Sequence, residues 1–198
     1  MSFNLGEAYE LMSALQKCIR RGMAYESVHF AIRLEEMNPA MLWNRLTVIA
    51  SEDVGPANPL MPVIIETLKS QYFTALRNQN AADRLYLINA VLLLAESPKS
   101  RDVDELLIAA YGKMEFEGEK LPIPDFALDM HTRRGKALGR KWDHWFEEGA
   151  KLEHNVGSGK WYQAHKEVCL KYGEPSNPFK KPKAKIGAVN HTLTDSGE

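Results

Sequence analysis

The chain has 198 residues, 44% of them hydrophobic and 26% charged, and a net charge of −1. That balance belongs to a globular protein with one sizeable core, and it excludes a disordered or fibrous chain. Near-neutrality also excludes a global field that would draw the whole molecule onto nucleic acid, so any such contact needs a local basic patch. Cys18 and Cys169 form no close pair, so neither a disulfide framework nor a thiolate zinc site is indicated. The N-terminus lacks a basic segment followed by an apolar one, and no stretch approaches the ~18 unbroken apolar residues of a membrane span, so a cytoplasmic protein is expected.

Apolar residues at three- and four-residue steps predict a helix from Leu5 to Ile19, closed by Lys17, Arg20, Arg21 and Gly22. A second helix is expected from about Tyr25 to Met37, with Val28, Ala31, Ile32 and Leu34 inward, before Asn38-Pro39. The third runs from Pro39 to about Glu52, presenting Leu42, Trp43, Leu46, Ile49 and Ala50, and stops at Gly55-Pro56. The fourth begins near Asn58-Pro59 and carries Ile64, Leu68, Phe73, Ala75 and Leu76 toward Arg77. The fifth, roughly Ala81 to Ala95, is apolar nearly all round, as a central helix would be. The sixth starts at Ser97-Pro98-Lys99-Ser100 and continues to about Tyr111-Gly112, with Val103, Leu106, Leu107 and Ala110 inward. No alternating strand pattern competes before residue 113, and the predicted class is all-α, a multi-helix bundle with an irregular charged C-terminal extension. Glu115 to Asp125 suits an extended connector. Phe126 to Leu152, with Trp142, Trp145 and Phe146, suggests a helix or short helices docked on the bundle. The expected organisation is a helical domain over 1–112, a charged and aromatic extension over 113–176, and a flexible basic tail over 177–198.

Gly157-Ser158-Gly159-Lys160 resembles part of a phosphate-binding loop, but His154 stands where the first glycine is needed and Trp161 where the hydroxyl is needed. A surface turn is the better reading. His131, His144 and His154, near Asp129, Asp143, Glu147 and Glu148, match no recognised metal-ligand spacing. Adjacent Glu147 and Glu148 point about 100° apart on a helix and cannot flank one bond. No catalytic residue, metal or cofactor is assigned. The most concentrated basic stretch holds five cations in nine positions, Arg133, Arg134, Lys136, Arg140 and Lys141, followed by Trp142. Such a donor cluster suits phosphate oxygens and the tryptophan suits a base; a solvated face neutralised by Asp129, Asp143, Glu147 and Glu148 stays open beside it. Lys180, Lys181, Lys183 and Lys185 could add nonspecific phosphate contacts.

Three segments carry a family likeness: Ala14-Leu15-Gln16-Lys17-Cys18-Ile19-Arg20, then Ser27 to Leu34, then Leu46 to Pro59 with Ser51-Glu52-Asp53-Val54-Gly55 as its most specific part. Ala95-Glu96-Ser97-Pro98-Lys99-Ser100 adds a fourth. Together they resemble the C-terminal helical region of the RarA/MgsA family, the AAA+ ATPases related to Werner-helicase-interacting protein, over roughly residues 13 to 112. The resemblance implies a fold like the clamp-loader collar, homotetramer assembly, and a role near stalled replication forks. It also implies that Ser51, Glu52, Asp53, Gly55, Pro98 and Lys99 form an oligomerisation or structural motif. The chain starts directly at the helical part with its own methionine and shows no Walker motif, so a free-standing, non-enzymatic version is expected. Three functions are weighed: an assembly and DNA-association module in replication and recombination, a regulator that binds a host AAA+ ATPase by copying its oligomerisation surface, and a small metal-dependent hydrolase using His131 and His144. The expected partners are the chain itself, DNA, and an AAA+ ATPase or other replication-fork protein, with no membrane.

Overall fold

In the computed structural model the described residues are 4–174; the lysine-rich segment 177–198 lies outside them. Helices α1 to α9 and short turns make up the regular structure of these residues, with no strand among them. The described residues divide into two compact units, one up to residue 120 and the other from residue 121.

In unit 1, Asn4 caps α1 (Leu5–Arg20) by accepting from the Glu7 N–H at 3.3 Å, and Gly22 ends it at φ +70°. α2 (Ala24–Met37) meets α3 (Pro39–Ile49) at Asn38, whose side chain accepts from the Met41 N–H while Pro39 supplies the first-turn φ. α3 does not end at Glu52 as an ordinary helix. It widens into a π-helical turn, Ala50–Val54, followed by a 3₁₀ turn, Gly55–Ala57. That second turn uses Gly55-Pro56, the expected stop, and α4 (Met61–Arg77) begins just after Asn58-Pro59; the Asn58 side chain does not cap it but donates to Ser97 Oγ at 3.3 Å, while the Asn58 carbonyl accepts from the Met61 N–H at 3.0 Å. α5 (Asp83–Glu96) and α6 (Asp102–Phe116) complete the unit. α6 starts later than Ser97 because that residue, preceding Pro98, is extended at ψ 149°. It then runs through Gly112, a position costing only about 1 kcal/mol in a helix.

The core gathers one stripe from each of α1 to α5: Leu11, Leu15 and Ile19; Ala31 and Leu34; Leu42, Trp43, Leu46 and Ile49; Met61, Ile65 and Tyr72; Leu87, Val91 and Leu94. Each such side chain contributes about 1.5–3 kcal/mol on burial. Trp43 packs on Tyr72 at 5.2 Å between ring centres, and Tyr72 on Phe73 at 5.1 Å. On α4 the inward stripe is Met61, Ile65, Leu68, Tyr72 and Ala75, while Ile64 and Phe73 sit at its margin and Leu76 is exposed. α5 is covered less completely than its composition suggests, since Leu85 remains exposed.

Unit 2 is built from short pieces: α7 (Arg133–Ala137), α8 (Trp142–His144), a π-helical turn Trp145–Gly149, and α9 (Tyr162–Tyr172). α9 is not among the helices expected from the sequence, and Cys169 is its one buried residue.

Candidate functional site

In unit 1 the Ser51–Gly55 element forms a clasp around a buried acid. Asp53 is 1% exposed, and a carboxylate removed from water must be paired and hydrogen-bonded. Its Oδ2 accepts from Gln16 Nε2 at 2.8 Å and its Oδ1 from Arg20 Nε, with an Arg101 Nη1 at 3.6 Å. Glu52 Oε1 accepts from Arg20 Nη2 at 2.7 Å. Arg45 donates to Gln16 Oε1 at 3.2 Å, which orients that amide toward Asp53. The Asp53 carbonyl accepts from the Ser100 N–H at 3.0 Å. α1, the π turn and the approach to α6 are thereby joined. Gly55 closes the turn at φ +46°, where a side chain would be strained, and an added Cβ would meet Val103 at 3.4 Å. Lys99 donates to the Ala95 carbonyl at 2.9 Å and to that of Ser97, capping α5, while exposed Pro98 prevents its continuation. Burial holds the Lys99 ammonium below its usual range. Exposed Ser51 lines an open groove of about 360 Å³ with Val48, Glu52, Val103 and Leu107.

α6 leaves this clasp with no buried residue. Val103, Leu106, Leu107 and Ala110 are therefore not inward as expected: Leu106 is 71% exposed, and Ile108, Tyr111 and Met114 are exposed beside it. Periodicity reports which face is apolar, not whether anything covers it. Three acids, Asp102, Asp104 and Glu105, occupy its first turn.

In unit 2 the basic stretch is held by its own backbone. Thr132 accepts from the Gly135 N–H at 2.9 Å and caps α7. Gly135 passes so close to the preceding loop that a Cβ would stand 1.7 Å from the Asp129 carbonyl oxygen, which only glycine allows. Arg140 is committed internally. It donates to the carbonyls of Asp125 and Leu128 at 2.6 and 2.9 Å and to both Asp125 carboxylate oxygens at 2.6 and 2.7 Å. That hydrogen bonding holds the Asp125 carboxyl below its usual range, and the His131 side chain, 3.0 Å from Asp129, does the same there. Arg133, Arg134, Lys136 and Lys141 are exposed and make no ion pair among the described residues. Of the acids expected to neutralise them, Asp129 faces His131 and Glu148 faces Lys151 at 2.9 Å.

Behind this stretch lies an aromatic cluster. Trp142 stands 5.5 Å from Trp145, 5.9 Å from Phe146 and 6.0 Å from His131. Phe146, which is buried, lies 5.1 Å from His165 and 5.7 Å from Tyr162. Spacing does not single out Tyr162 and His165, since neither belongs to a recognisable motif. The residues weighed for metal do not converge: among the described residues no three His, Cys, Asp or Glu side chains gather closely enough to hold an ion. His154 lies in the exposed turn that also holds Gly157–Lys160.

Comparison with known proteins accounts for both units. Residues 25–171 match the family described as MgsA AAA+ ATPase C terminal. The likeness therefore does not end at Gly112 but continues through the basic stretch and α9. Replication-associated recombination protein A of Bacillus subtilis is 32% identical over 153 residues, 76% of this chain and 34% of its own length. An AAA-domain protein of Mycobacterium tuberculosis is 29% identical over 76% of this chain and 32% of its own. ATPase WRNIP1 of Dictyostelium discoideum is 29% identical over 73% of this chain and 17% of its own. The chain thus spans about a third or less of the length of these relatives. With the match running from the first turn of α2 to the last turn of α9, the chain belongs to the MgsA AAA+ ATPase C-terminal family.

Proposed function

We propose that this chain is a non-catalytic assembly and DNA-association module acting in replication-linked recombination. The observation that carries the reading is α6, a fifteen-residue helix seated by the Asp53 clasp with none of its residues buried. Seven of its large apolar side chains are exposed. At on the order of 100 Å² each, they offer an area close to the ~800 Å² per partner of a stable protein interface. On this reading the chain associates with copies of itself, with a tetramer as the family-like outcome. Ser51, Glu52, Asp53, Gly55, Pro98 and Lys99 act by holding α6 in place.

Association with DNA is supported by Arg133, Arg134, Lys136 and Lys141, exposed and without acidic partners, while Arg140 orders the loop beneath them. Reversing Arg133 and Arg134 to Glu is expected to weaken duplex binding and to lower the slope of log affinity against log salt by about 0.9 for each phosphate no longer neutralised. Unchanged binding at low salt would sink the DNA half of the reading. The α6 face also admits a second reading, because the relatives carry this region within longer ATPase chains: a subunit of such an ATPase would replace the second copy. Co-purification with a full-length ATPase of the family, against self-association measured by light scattering, separates the two.

A further inference from the structure

The folding of residues 121–174 leaves both ends of one stripe of α9 uncovered. At about 100° per residue, Trp161, His165, Val168 and Tyr172 fall on one stripe of the helix and Glu167 on another. Trp161, the residue before the helix, already has near-helical angles of φ −102° and ψ −5°, so it continues that stripe. Trp161 and Tyr172 are each 72% exposed, and neither has an aromatic neighbour in the cluster. Each has instead an ammonium over its ring: Lys160 Nζ lies 4.9 Å from the Trp161 ring centre and Lys171 Nζ 4.8 Å from that of Tyr172. Eleven residues at ~1.5 Å rise place the two ring–lysine pairs roughly 16 Å apart.

The stripe is continuous with the basic stretch. Midway along it His165, itself exposed, stands 5.7 Å from Trp145 and 6.4 Å from Trp142, both half-buried. Trp142 in turn reaches His131, which directly precedes Thr132 and α7. Aromatic contacts thus lead from His165, on the same stripe as Trp161 and Tyr172, toward the segment that carries Arg133 and Arg134. The turn before α9 is shaped by its own hydrogen bonds, Gly157 N–H to Asn155 Oδ1 at 2.8 Å and Lys160 N–H to Ser158 Oγ at 3.3 Å, so Lys160 and Trp161 are presented together. Charge does not oppose this placement: residues 121–174 hold 9 Lys and Arg against 8 Asp and Glu, whereas residues 1–120 hold 12 against 16.

Rings spaced along a basic track suit one ligand in particular. Bases in a duplex are already stacked on each other, whereas an unpaired strand offers free base faces to aromatic rings and its phosphates to lysines. We infer that the Trp161–Tyr172 side of α9 binds single-stranded nucleic acid, with Trp161 and Tyr172 stacking on bases and Lys160 and Lys171 meeting phosphate oxygens. A span of roughly 16 Å suits about four nucleotides, the lower end of single-strand site sizes. This inference rests on the DNA-association reading and names the form of nucleic acid.

The test uses the full chain, a labelled oligothymidylate and a duplex of equal length, with binding read by fluorescence anisotropy at low salt. Trp161→Ala and Tyr172→Ala are each expected to weaken single-strand binding by at least about fivefold, the lower end of base–aromatic stacking, and to leave duplex affinity unchanged. Trp161→Phe should retain most of the affinity, and an unchanged unfolding midpoint confirms that the exposed site was altered without loss of fold. If both alanine variants hold the oligothymidylate as tightly as the parent while duplex binding persists, the inference fails and DNA association stands. If the parent binds neither form, both fail.

Discussion

Asp53 and Tyr72 show how single buried polar groups set the geometry of unit 1. Asp53 is held by Gln16, Arg20 and Arg101, so Asp53→Asn would keep the shape and remove the charge that two guanidiniums share. Its partners retain partial access to water, which reduces the penalty below that of a fully buried pair; a loss of about 3 kcal/mol is expected, read as a lower urea midpoint. The Tyr72 hydroxyl donates to Glu35 Oε1 at 2.8 Å, and Arg84 donates to the other Glu35 oxygen at 3.1 Å. Burial, then the hydrogen bond to Glu35, pushes the Tyr72 phenol well above its ordinary value of 10.0. The fold therefore favours the protonated phenol. That contribution is fully present below pH ~10, where the unfolded chain is also protonated, and is lost as pH rises above it. Tyr72→Phe should cost about 1 kcal/mol at neutral pH and flatten the alkaline decline in stability above pH ~10, measured by urea unfolding across that range.

At the scale of elements, α6 and α9 mark where pattern and structure part. The clasp residues Gln16 and Arg20 lie within one of the segments that carried the family likeness, and Asp53 within another; the bond between them is visible only once α1 lies beside the π turn. The apolar stripe of α6 is plain in the chain, and its lack of cover is not, because three- and four-residue spacing looks the same whether a face is buried or bare. Converting Tyr111 and Met114 to Glu should leave the helical content unchanged, since both side chains are exposed in the single chain, while shifting the mass in light scattering toward that single chain. A self-associated state that survives both changes would sink α6 as the assembly surface. α9 escapes periodicity for a different reason, since its stripe of Trp161, Val168 and Tyr172 is short and interrupted by His165.

Across the whole molecule, local chemistry explains most of what the chain alone determined: the all-α class, the starts at Leu5 and Asn38-Pro39, the stop at Gly22, and membership of the family through Ser51–Gly55 and its companion segments. Caps, glycines and helical spacing act over a few residues, so they can be read without a fold. No helix among the described residues is long and apolar enough to cross a membrane, in line with the absence of a long apolar run. Tertiary structure decided the rest. It placed Arg140 on Asp125 while leaving Arg133, Arg134, Lys136 and Lys141 exposed, joined Asp53 to residues more than thirty positions away, and set His165 against Trp142 and Trp145. Those outcomes depend on which groups remote segments bring within hydrogen-bond or van der Waals reach, and neither charge counts nor spacing records that distance.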